Sequence, residues 1–286
     1  MLLTIALLSG CTAMPSMGAT AARSQAYRTA EAAGLSAATI DVHGFRLQVF
    51  HRGLAGAHAL NVYIEGDGRA WSSPHRPADD PTPRDPVALE LAARDRSAAV
   101  LYLARPCQFQ DAAALPACDR KFWTTHRYAG EVVDAMDQAI DLALRQAGAD
   151  EARVSLGLIG YSGGGAVAAL VAARRAQAHW LVTVTGNLDH REWTRIHDVT
   201  PLSASLNAAD FAASLRALPQ VHLIGGKDRI VPRAVTQSYL RQAGHAAKTT
   251  LIEIADYDHQ CCWAESWPDL ACAALSTSGA TFTPCN

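Results

Sequence analysis

Short, continuous apolar runs recur along the chain, and most are followed by a stretch with helical spacing. Residues 60–65, 99–103, 154–159, 180–185, 221–225 and 249–254 are each long enough for one buried strand and too short for a core helix. Upstream, residues 39–42 and 45–50 flank His43-Gly44, a pair suited to a hairpin turn, and the second run alternates apolar with polar as a half-buried edge strand does. Between the runs lie predicted helices. One starts at Asp85-Pro86, with Asp85 as N-cap, and runs to about residue 96. A second spans 127–147, with Val132, Val133, Met136, Ile140, Ala143 and Leu144 on one stripe and Glu131, Asp134, Asp137 and Asp141 kept mostly off it. Two more cover 166–175 and 233–242. Strands alternating with helices predict an α/β domain: a mostly parallel central sheet with helices on both faces.

Three stretches lack this rhythm. Residues 12–37 are rich in Ala, Ser and Thr and read as a tether, so a single domain is expected over 38–286. Residues 71–86 form a proline-rich, constrained surface loop. Residues 190–219 carry no strong period and fit a short insert over the site.

Composition narrows the function classes. With 286 residues, 49% of them hydrophobic and 18% charged, the chain can bury one large core. A formal charge of −2 gives no basic excess to attract nucleic acid or an anionic membrane surface. The first eleven residues, 1–11, are apolar and too short to span a bilayer as a helix; they read as a secretion signal without a basic start. Leu8-Ser9-Gly10-Cys11 resembles the bacterial lipobox, which implies lipidation of Cys11, and Thr12 after it implies delivery to the outer membrane. The expected location is therefore the periplasmic side of a bacterial envelope, with membrane contact only through the lipid. Of seven cysteines, removing Cys11 leaves an even set: Cys107, Cys118, Cys261, Cys262, Cys272 and Cys285. That fits an oxidising compartment. Proximity favours Cys107 with Cys118, and Cys261 and Cys262 with Cys272 and Cys285 in either order. The spacings lack the paired arrangement of a zinc site, so no metal is expected.

The chemistry is concentrated after the 154–159 run, where the chain reads Gly160-Tyr161-Ser162-Gly163-Gly164-Gly165 and enters a helix. Glycines flanking a serine at a sharp strand-to-helix turn leave room where strand and helix crowd, and hold the hydroxyl exposed. No Lys-Ser or Lys-Thr closes the run, so a phosphate-binding loop does not fit. Asp228, in Gly226-Lys227-Asp228-Arg229-Ile230-Val231-Pro232, and His259, after Asp258, each follow a predicted strand, as Ser162 does. Loops at the carboxyl ends of parallel strands converge on one site. Asp189, Asp256 and Asp258 compete for the acid, and His222 and His245 for the base, but none is as naturally placed.

With Ser162, Asp228 and His259 in that order, residues 38–270 resemble the α/β-hydrolase superfamily, and more closely its bacterial secreted or lipoprotein branch. The resemblance implies Ser162 as nucleophile, His259 as base and Asp228 as the acid orienting it. It also implies an oxyanion hole from the amides of Gly163 and of Asp67 or Gly68, in the loop Gly66-Asp67-Gly68-Arg69. Here Glu65-Gly66 replaces the family's common His-Gly start. Neither metal nor organic cofactor is implied. The partner implied is a small-molecule ester, with amide, peptide or thioester cleavage on the same residues as alternatives, or a non-catalytic envelope-binding lipoprotein on the inherited fold. Trp71, Trp123 and Trp263 are candidates to line an acyl pocket.

Overall fold

In the computed structural model the described residues are 17–278, apart from 74, 112 and 246. Cys11 and the lipobox, and Cys285, lie outside them. The first described element corrects an expectation: part of the tether is helix α1 (Met17–Ala32). Its alanines explain why. Ala22, Ala26 and Ala30 recur every four residues and are buried, against the helix α2 introduced below, while Tyr27 donates to Gln48 Oε1 at 2.7 Å and meets Phe50 edge-on at 5.2 Å. Strand β1 (Ser36–Val42) then pairs antiparallel with β2 (Phe45–Arg52). The hairpin closes through His43 and Gly44, with φ of 49° and 77°, the left-handed pair a tight two-residue turn requires.

The rest of the chain alternates as predicted. After β3 (Ala59–Ile64) comes a small ribbon, β4 (Trp71–Ser73) with β5 (Arg76–Pro77), and then α2 (Val87–Arg94) and β6 (Val100–Leu103). Next are α3 (Gly130–Gln146), β7 (Ser155–Tyr161), α4 (Gly163–Ala172), β8 (Ala178–Val184) and α5 (His190–His197). The chain continues through β9 (Gln220–Gly225), α6 (Arg233–Ala243), β10 (Thr249–Ile254) and α7 (Trp267–Ser278). The eight-stranded sheet runs β1-β2-β6-β3-β7-β8-β9-β10. From β6 to β10 every pairing is parallel, and only the β2 edge is antiparallel.

Side chains alternating along each strand build two cores. Leu60, Val62 and Ile64 of β3, Leu101 and Leu103 of β6, and Leu156 and Leu158 of β7 join α3 and α4 on one face. Tyr63, Val100, Tyr102, Ile159 and Tyr161 join α1, α2 and α7 on the other. Helix α4 is buried along its whole length, which its uniformly small and apolar sequence permits. Two helix starts differ from expectation. Asp85 does not cap α2 with its side chain; its carbonyl accepts from the Val87 amide instead. Helix α3 begins at Gly130 rather than 127, because Arg127 and Tyr128 turn inward to bind the half-buried carboxylate of Asp67.

Candidate active site

Ser162 sits at the tip of the β7–α4 turn with φ 52° and ψ −122°, a backbone conformation that side-chain-bearing residues rarely adopt. The crowding that holds it there is measurable. A Cβ on Gly160 would lie 2.3 Å from the Gly164 carbonyl oxygen, and one on Gly164 would lie 2.2 Å from that of Ile64. Strand and helix approach so closely that only glycine fits at both positions.

Two later loops reach this serine. Ser162 Oγ is 3.0 Å from His259 Nε2, and His259 Nδ1 is 2.8 Å from Asp228 Oδ2. The other oxygen of Asp228 accepts from the amides of Ile230 and Val231 at 2.8 and 2.9 Å, so the turn after β9 fixes the carboxylate. The His259 loop is held from several sides. Tyr161 donates its hydroxyl to the His259 carbonyl at 3.0 Å, Asp258 Oδ1 accepts from the amides of Gln260 and Cys261 at 2.8 Å each, and buried Trp263 donates to the Asp258 carbonyl at 3.1 Å. The three residues named from sequence thus form one continuous hydrogen-bonded chain.

The rivals are engaged elsewhere. Asp189 caps α5, accepting from the Arg191 and Glu192 amides, and also takes Asn207 and Ser238. Asp256 is an exposed partner of Lys227. Asp258 organises its own turn, whose Cys261 and Gln260 amides hold its carboxyl below the usual range. His222 is buried beneath the sheet surface, where its Nδ1 meets Thr183 Oγ1 at 2.8 Å, and burial lowers its pKa to about 3.

The Gly66–Arg69 loop lies against Ser162: a Cβ on Gly66 would stand 3.3 Å from Ser162 Cβ. The sequence points to Asp67 or Gly68 for an amide and gives no sign of the Asp67 side chain, which lies hard against Gly163, where any Cβ would be 2.0 Å from Oδ1. That carboxylate is the centre of a buried cluster. Arg105 approaches it at 3.2 Å, Arg127 at 2.9 Å and the Tyr128 hydroxyl at 2.8 Å. Burial opposes its ionisation, yet the guanidiniums of Arg127 and Arg105 hold its carboxyl below the ordinary range. Gln108 donates to the Gly66 carbonyl at 2.9 Å, and Gly68 is held at φ 63° against the Pro81 carbonyl, where no side chain fits. Among the described residues no acceptor takes the Asp67, Gly68 or Gly163 amides. Glu65, just before this loop, is buried; burial raises its pKa to about 7, although the Gly66 amide and the Tyr102 hydroxyl both donate to it.

These groups line a cleft of about 600 Å³ that includes Ser162, His259, Asp67, Gly68, Trp71 and Trp193. Of the tryptophans expected there, only Trp71 lines it. Trp123 is buried and donates to the Ala78 carbonyl, and Trp263 is buried under the His259 loop. Trp193 was not foreseen: the 190–219 stretch contributes it from α5, with its indole nitrogen donating to the Ile230 carbonyl at 2.7 Å. Cys107 and Cys118 are bonded as expected, and pack with Ala70 and Trp123 behind the cleft wall. Cys261 and Cys262 correct their pairing: as chain neighbours they are bonded to each other, in the turn whose Cys261 amide donates to Asp258. Cys272, on α7, is disulfide-bonded without either of them. Among the described residues no group of three or more His, Cys, Asp or Glu is gathered as metal ligands.

No protein-family model matches the chain, and no curated protein sequence does. Solved structures do. A Klebsiella pneumoniae protein assigned as a dienelactone hydrolase is 18% identical, with a TM-score of 0.57 over 86% of this chain and 98% of that one. An esterase from Pyrococcus furiosus is 13% identical, with a TM-score of 0.58 over 86% of this chain and 94% of its own. The acylaminoacyl peptidase of Pyrococcus horikoshii is 10% identical, with a TM-score of 0.59 over 86% of this chain but only 40% of that longer protein.

Proposed function

We propose that this chain, whose fold is that of the α/β-hydrolases, is a serine hydrolase that cleaves a carboxylic ester through an acyl-enzyme. One observation carries the reading: a serine held at positive φ, in hydrogen-bond reach of an imidazole that is itself held by a buried carboxylate. A serine hydroxyl is a weak nucleophile until a base takes its proton, and histidine, with an ordinary pKa of about 6.5, suits that role at neutral pH. Ser162 Oγ attacks the ester carbonyl carbon as its proton passes to His259 Nε2. Asp228 accepts from Nδ1–H, fixing the tautomer and stabilising the imidazolium. The tetrahedral oxyanion is received by the amide of Gly163, at the start of α4, and that of Asp67 or Gly68; each such donor contributes about 3 kcal/mol to the transition state. The imidazolium protonates the departing alkoxide, and water, activated by the same histidine, then releases the acid.

A cleft of about 600 Å³ suits a small molecule, which supports an ester of modest size over a folded protein as substrate. Esters rank above amides by analogy with the esterase among the structural neighbours. The test is active-site labelling with a fluorophosphonate. Wild-type protein takes the label and Ser162→Ala does not; a wild type that never labels overturns the hydrolase reading in favour of a binding platform.

The same proposal places the protein in the bacterial envelope, lipid-anchored at Cys11. The lipobox-like sequence and the Cys107–Cys118 bond support it, since such bonds persist in oxidising compartments. A metabolically incorporated fatty-acid probe should label the wild type and not Cys11→Ala; equal labelling of both rejects the anchor.

A further inference from the structure

The charges lining the cleft do not cancel. Asp67 and Arg127 satisfy each other, and Glu65 is buried with its proton held to about neutral pH. His259 is committed to Ser162 and Asp228. Two cations remain, Arg69 and Arg84, and among the described residues neither has a carboxylate within 4.0 Å of its guanidinium. The rim does hold one opposing charge, the exposed Asp85 next to Arg84 in the chain, so the position of Arg69 matters more.

Arg69 is half-buried and stands on the loop whose other end touches the nucleophile. Its amide donates to the Pro81 carbonyl at 2.9 Å, directly after Gly68 at φ 63°, so its backbone is fixed relative to Ser162. The same cleft also offers exposed apolar side chains: Trp71 is 41% exposed and Ile230 53% exposed. A planar guanidinium on a fixed backbone, with apolar surface on the same rim and no carboxylate of the described residues within 4.0 Å, matches an oxygen anion borne on an apolar body. Because the net charge is −2, this selectivity acts at contact range rather than by long-range steering.

We propose that Arg69, seconded by Arg84, binds an anionic group of the substrate, so that the ester cleaved here carries a carboxylate or equivalent oxygen anion on its acyl or its alcohol part. This rests on the hydrolase reading. Two matched pairs separate the sources of the anion: phenyl hydrogen adipate against phenyl hexanoate places the charge on the acyl side, and 4-acetoxybenzoate against its methyl ester places it on the alcohol side. In one pair the wild type should favour the anionic member in kcat/KM by about 10- to 100-fold, chiefly through KM, the range for a hydrogen bond to a charged group. Arg69→Gln should remove most of that ratio, Arg84→Gln a smaller part, and Arg69→Lys should retain more of it than Arg69→Gln. The neutral member of each pair is the internal reference, so general damage to the site cancels in the ratio. Neutral esters turned over with no anionic preference in either pair overturn this proposal alone, as does a preference that survives the double variant. No turnover of any ester, together with no fluorophosphonate label, overturns the hydrolase reading and this one with it.

Discussion

Asp228 shows how little of a site residue's environment is visible in its own side chain. Two amides from its own turn hold one oxygen and leave the other for His259. Asp228→Asn preserves that geometry but presents the wrong partner to Nδ1, and should lower kcat by about 10⁴-fold with a smaller change in KM, measured on a chromogenic ester. Glu65 makes a prediction about stability instead. Its folded pKa of about 7 exceeds its ordinary 4.5, so between these values the folded state binds more protons than the unfolded chain, and this contribution is lost as pH rises from 4.5 to 7. The loss amounts to about 3 kcal/mol at most. His222 has the opposite sign: burial keeps it neutral down to about 3, so its contribution is lost as pH falls below 6.5. From 4.5 to 6.5 the two offset each other. Urea midpoints of Glu65→Gln relative to wild type should therefore improve steadily as pH is raised from 4.5 to 7, and a flat difference would show that Glu65 does not hold its proton.

At the scale of elements, the β7–α4 turn and the Asp67 loop are one unit built from pieces far apart in sequence. Gly164 has no room for a methyl group against the Ile64 and Glu65 carbonyls, so Gly164→Ala should abolish folding or lower thermal stability by several degrees, read by circular dichroism. The Cys107–Cys118 bond closes a short loop and backs Ala70, beside Arg69; its loss in Cys118→Ser should cost about 3 kcal/mol in denaturant melts. The turn, the strands and the residues that meet as Ser162, Asp228 and His259 were legible because each is a local pattern: a glycine-flanked serine, an apolar run, a charged residue just after it. The role of the Asp67 side chain was not. Its partners Arg105 and Arg127 lie 38 and 60 residues away, and nothing local distinguishes a buried arginine from a solvated one. The Cys261–Cys262 bond is hidden for a different reason: an even cysteine count leaves the pairing open, and nothing local marks two adjacent cysteines as partners of each other.

At the scale of the molecule, one sheet separates two cores, and the site stands on the edge where the parallel strands end. Alternation of strands and helices made that architecture readable from the apolar pattern alone. The domain boundary was not readable, because α1 carries its apolar face almost entirely in alanines, whose weak hydropathy hides a regular spacing.

Helix α1 also sets where an expression clone must begin. A fragment started at residue 38 strips the small side chains that cover α2 and leaves Gln48 and Phe50 facing water without Tyr27. Such a fragment should collect in inclusion bodies, whereas one started at residue 17 stays in the supernatant and melts cooperatively.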